Sequence, residues 1–89
     1  MDEKRLRELH DHLAATGERP VERTASRWLG EAEAIAGDIA LSDLPADVRR
    51  ERLAKVEHLL DNVEATGDAE ADEHVEQARA LLDTLLGDG

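Results

Sequence analysis

Apolar residues in this chain recur every three or four positions through four successive stretches, and nowhere do they alternate with polar ones as a strand would require. The spacing predicts a first helix from about Asp2 to Thr16, with Leu6, Leu9 and Leu13 on one face and Gly17 as its stop. A second follows Pro20, a residue favoured in the first turn, with Val21, Ala25, Trp28, Ala32, Ile35 and Ile39 as its stripe. The third opens at Pro45 after Ser42-Asp43-Leu44, is lined by Val48, Leu53, Val56, Leu60 and Val63, and ends at Gly67. The fourth starts from Asp68 as N-cap and carries Ala71, Val75, Ala78, Leu82 and Leu85 to near Gly87.

Short connections set successive helices antiparallel. The expected fold is therefore all-α: an up-down bundle of four helices made of two αα-hairpins, in one domain over residues 1–89. The first stripe is short, so a core of three long helices with a looser first segment is the alternative. The chain also echoes itself, since Ala15-Thr16-Gly17 recurs as Ala65-Thr66-Gly67, and Leu9 and Asp11 match Leu59 and Asp61 at the same offset. A duplicated hairpin would do this. Two unrelated hairpins with heptad-like stripes would also align somewhere, and few identities lie outside the turn.

Asp and Glu number 22 against 11 Lys and Arg, a net charge of −11, and the only lysines are Lys4 and Lys55. Such a chain repels itself at low ionic strength, whereas in molar salt the Debye length falls to ~3 Å. It lacks the cationic footprint that phosphates require, so no nucleic acid is an expected partner. No run approaches the ~18 apolar residues of a membrane span, and the charged N-terminus lacks a signal peptide's apolar core. Without cysteine there is no disulfide and no thiolate ligand. A cytoplasmic protein is expected. Trp28 is the sole aromatic and alanines are many, so burial is scarce and the monomer is marginal; a partner subunit or high salt would help.

Candidate chemistry is sparse. His10 and His12 point about 200° apart on a helix and cannot chelate one ion, and His58 with Glu57 fails in the same way. Glu70 with His74, and His58 with Asn62, are four apart, yet one such pair is too few for a zinc site. No metal and no cofactor is expected. Carboxylates such as Glu31 and Glu33, or Asp72, Glu73 and Glu76, read as solvated helix faces, and no nucleophile arrangement emerges, so no enzyme is expected. Arg19, Arg23 and Arg27 step by four along the second helix and form a candidate anion-binding strip; Arg49, Arg50 and Arg52 cluster early in the third. Ion pairing along and between helices is the competing use of these arginines. Gly30, Ala34 and Gly37 make a small-residue strip that would admit another backbone, within the monomer or across a dimer. Trp28, as core anchor and shared contact, completes a candidate interface.

The carboxylate-rich, lysine-poor composition resembles that of cytoplasmic proteins from salt-accumulating haloarchaea. The stretch from Leu13 to Asp38, with Thr24-Ala25-Ser26-Arg27-Trp28-Leu29-Gly30-Glu31-Ala32, resembles small haloarchaeal proteins of uncharacterised function. The third and fourth helices, with Thr66-Gly67-Asp68 between them and Leu81-Leu82-Asp83 near the end, are similar to short archaeal helical proteins, likewise uncharacterised. The resemblance implies an all-α fold and carries over no catalytic residue. The leading expectation is a non-enzymatic halophilic module that forms a homodimer or binds a helical protein partner. The alternative is a small-ligand or anion-binding bundle using Arg19, Arg23 and Arg27.

Overall fold

Leu6, Leu9 and Leu13 lie one above the other on α1, Glu3–Thr16, and all three are buried. This is a computed structural model, and it describes residues 3–87; Asp2, the expected start of the first helix, lies outside them. Helix α2 spans Arg23–Leu41, α3 spans Ala46–Asp61 and α4 spans Ala69–Gly87, with no strand among the described residues. Each helix packs on its chain neighbours, and α4 closes back on α1. The bundle measures 35 × 21 × 20 Å. The all-α, four-helix expectation holds, and α1 is a full member of the core rather than a loose segment.

Local chemistry explains where the helices begin. Pro20 stands outside α2: the chain makes a tight turn there, with the Val21 N–H donating to the Arg19 carbonyl at 2.8 Å. The cap is Glu22, whose carboxylate accepts the N–H groups of Thr24 and Ala25 at 3.0 and 3.1 Å. Pro45 directly precedes α3 and Asp47 sits in its first turn. Asp68 caps α4 by accepting the Ala71 N–H at 2.9 Å, as its sequence position predicts.

The α2 stripe is rotated from the expected one. Ala25, Leu29, Ala32, Ala36 and Ile39 are buried, whereas Trp28 and Ile35 are partly buried against the same core. Periods of three and four admit both stripes; the packing of α1 on one flank and α3 on the other selects the one centred on Leu29. Leu59 joins Leu53, Val56, Leu60 and Val63 in the core, the expected Val48 is only half-buried and lies outside it, and every expected α4 position is buried.

The two hairpin loops meet at one end, where the Glu22 N–H donates to the Thr66 carbonyl at 2.7 Å. The two Ala-Thr-Gly turns nevertheless differ. Thr16 is the last residue of α1 and donates its hydroxyl to the Leu13 carbonyl at 2.6 Å. Helix α3 stops earlier, at Asp61, and Thr66 lies in the loop with its N–H and hydroxyl on the Asp72 carboxylate at 2.8 Å. Among the described residues only Gly67 has a positive φ, +85°, which glycine adopts without the clash a β-carbon would bring. The sequence echo thus matches in burial, with Thr16 and Thr66 both inside, and not in conformation.

Helices α3 and α4 approach each other least of the four neighbouring pairs. Arginines bridge them. Arg79 of α4 donates to the Leu60 and Val63 carbonyls at the end of α3, at 2.7 and 2.9 Å, and Arg50 of α3 donates to the Leu86 carbonyl near the end of α4, at 2.6 Å. Because the helices are antiparallel, each supplies a cation to the carbonyl end of the other, where it also meets the negative end of the helix dipole.

Candidate functional site

The arginine triad does not assemble as a strip. Arg19 lies in the loop before α2 and makes a two-pronged contact with Asp68, Nε at 3.0 Å and Nη2 at 3.1 Å, with Glu70 at 3.2 Å from Nη1. The Asp68 hydrogen bond raises the Arg19 pKa. In return Arg19, with the Ala71 N–H, holds the Asp68 carboxyl below the usual carboxylate range, and the Thr24 and Ala25 N–H groups do the same for Glu22. Arg23 and Arg27 are exposed on α2 with no ion pair among the described residues. Of the second arginine cluster, Arg49 donates to the Leu44 carbonyl at 3.1 Å, Arg50 serves α4, and Arg52 is exposed.

These loop contacts make acid sensitivity predictable. A carboxyl whose pKa is lowered by folding stabilises the fold above the ordinary range, and that stabilisation is lost as pH falls toward its lowered value. The melting midpoint is therefore expected to drop below about pH 4, the ordinary carboxylate range. Asp68→Asn is expected to flatten that drop; an unchanged acid limb would show that the loop junction contributes nothing to it.

The candidate interface residues also part company. Gly37 is buried, and a β-carbon there would sit 3.2 Å from Nε2 of His10, so its missing side chain admits α1 within the monomer. Trp28 lies nine positions away, about 180° around the helix, and is partly buried against the core. Gly30 and Ala34 are exposed, and a β-carbon at Gly30 would meet nothing within 4 Å. They continue into a face that the sequence reading did not assemble: Arg23, Arg27, Gly30, Ala34, Asp38 and Leu41 are all exposed at steps of three or four. Leu41 is 88% exposed, while Leu44, Leu81 and Leu86 are partly covered by the core. The signal that could have found this face is the run of small and charged residues opposite the Leu29 stripe.

Asp72, expected on a solvated face, is half-buried and holds Thr66, whereas Glu73 and Glu76 are exposed. His12 and His74 come together between α1 and α4, Nδ1 to Nδ1 at 2.9 Å. Asn62 donates to the His58 carbonyl at 3.0 Å. Among the described residues no three histidine, aspartate or glutamate side chains converge as a metal site, and no helix is long and apolar enough to cross a membrane.

A family model described as a domain of unknown function (DUF8152) matches residues 5–89. Neither a curated protein nor a solved structure matches the chain.

Proposed function

We propose that this chain, which belongs to the DUF8152 family of domains of unknown function, is a non-enzymatic helical module that pairs with a second copy of itself through the outer face of α2. The observation that carries the reading is the exposed Leu41 at the end of a face made of small and unpaired charged side chains. That face is self-complementary. Gly30 and Ala34 centre on position 32, as do, further out, Arg23 and Leu41, and Arg27 and Asp38 fall within half a residue of the same centre. A two-fold antiparallel pairing about that point sets Gly30 against the other copy's Ala34, where small side chains let the backbones approach. It sets Arg27 against Asp38, and Leu41 under the aliphatic stem of Arg23. Gly37 is taken up by His10 within the monomer and Trp28 packs against the core, so neither joins this face.

A net charge of −11 opposes this pairing in dilute buffer, and molar salt screens it. The module is accordingly halophilic, and the carboxylate excess with arginine favoured over lysine suits the cytoplasm of a salt-accumulating archaeon. The same charge argues against a nucleic-acid partner. Anion binding by Arg19, Arg23 and Arg27 is the weaker reading, because Asp68 and Glu70 occupy Arg19.

Sedimentation at about 100 μM protein tests the pairing, with a dimer expected in about 2 M KCl and dissociation in about 0.1 M. Gly30→Leu separates interface from helix. It removes a helix-interior glycine that costs ~1 kcal/mol relative to alanine, so the monomer should melt no lower, while the dimer should be lost. A monomer in high salt, or a Gly30→Leu variant that still pairs, would overturn the model.

A further inference from the structure

His12 and His74 are half-buried and meet between α1 and α4 with their Nδ1 atoms 2.9 Å apart, ring centroids 5.2 Å apart and planes tilted by 43°. The centroid spacing exceeds the nitrogen spacing by twice the centre-to-nitrogen distance of an imidazole. Both nitrogens therefore lie close to the line between the rings, and the rings meet head-on. Lone pairs aimed at one another do not converge on a third point, so a metal held by both would require both rings to swing. At hydrogen-bond distance the arrangement holds one proton: one ring carries it on Nδ1, and the other accepts it there.

We infer that His12 and His74 form a proton-gated clasp that holds α1 against α4 while one, and only one, of the two Nδ1 atoms is protonated. If both rings become cationic, two N–H donors and two positive charges face each other across 2.9 Å, and the clasp must open. Glu8 lies one turn before His12 on α1, and Glu70 one turn before His74 on α4; Glu70 is already paired with Arg19 from the α1–α2 loop. Arg5 lies two turns before His12, and Asp11 and Glu73 adjoin the two histidines in sequence but are exposed. Helix α2 packs on the other flank of α1, where His10 meets Gly37, and α3 packs on the flank of α4 that carries Arg79. Each histidine thus has a carboxylate one turn away, and what opposes the second proton is the facing N–H and positive ring across the 2.9 Å contact.

Unfolding frees both rings to take up protons, whereas the closed clasp admits one fewer, so acid favours opening. The clasp is closed while the pair shares one proton between its Nδ1 atoms and opens in acid, once the second Nδ1 is protonated as well. Imidazoles in general take up protons above the carboxylate range in which the loop junction fails, so the two effects are separable. The inference concerns the α1–α4 seam and does not depend on pairing through α2.

The test uses the whole chain, labelled with nitrogen-15. A through-hydrogen-bond coupling between the two Nδ1 nuclei is expected near pH 7.5 and its loss near about pH 5. A double-mutant cycle with His12→Leu, His74→Leu and the double variant, read by urea unfolding at both pH values, gives the energetic counterpart. At the higher pH the pair should show a favourable coupling of about threefold to tenfold in the unfolding constant, falling to none or reversing in acid. Absence of the nitrogen–nitrogen coupling in native protein near neutrality would overturn the clasp, and so would a coupling energy that stays the same at both pH values.

Discussion

Leu9→Ala is expected to destabilise the protein by about 3–5 kcal/mol, the range for a leucine fully enclosed by core. Leu9 is 0% exposed and sits mid-way along α1, which packs on both α2 and α4. Small domains have ~5–15 kcal/mol in total, and this one has a modest apolar supply, so the variant should be largely unfolded in dilute buffer. Urea titration in high salt provides the measurement, with Glu51→Ala, at an exposed position of α3 away from the proposed interface, as a control that should leave stability unchanged. A loss below about 1 kcal/mol at Leu9 would return α1 to the status of a loose appendage and favour a three-helix core.

Arg79→Met is expected to cost about 2–3 kcal/mol, the second-largest effect. The guanidinium donates to the carbonyls of Leu60 and Val63, and hydrogen bonds from a charged group contribute ~1.5–3 kcal/mol net. Methionine keeps the aliphatic stem over the α3–α4 seam and removes the donors, so the change isolates capping from packing. The Leu60 carbonyl keeps the Val63 N–H, but the Val63 carbonyl is left to solvent. Amide exchange at the end of α3 should accelerate more than at its start. Uniform acceleration would mean that Arg79 supports the whole bundle and not this helix end.

Arg79 also shows where sequence reading stops. It lies 19 residues from Leu60 and 16 from Val63, with no partner suggested by helical spacing. His12 and His74 are 62 positions apart, and only the docking of α1 on α4 makes them neighbours. Arg19 stepped by four toward Arg23 on paper, yet the chain turns at Pro20 before α2 begins, and the loop delivers Arg19 to Asp68. Gly30 and Gly37 looked equivalent in one strip. Seven positions, about 20° short of two full turns, leave Gly30 in the open while Gly37 admits His10.

What the amino-acid order determined alone was local: four helices, three of the four apolar stripes, Asp68 as a cap, and a surface of one dominant charge. These follow from backbone geometry and from the removal of apolar surface from water, both of which repeat at short spacings along the chain. The tertiary structure alone decided which α2 stripe faces inward, which glycine is filled by a neighbour, and which distant charges and imidazoles meet. Helical periodicity sets a side chain's angle about its own axis. The angle and height of one helix against the next come only from packing all four together.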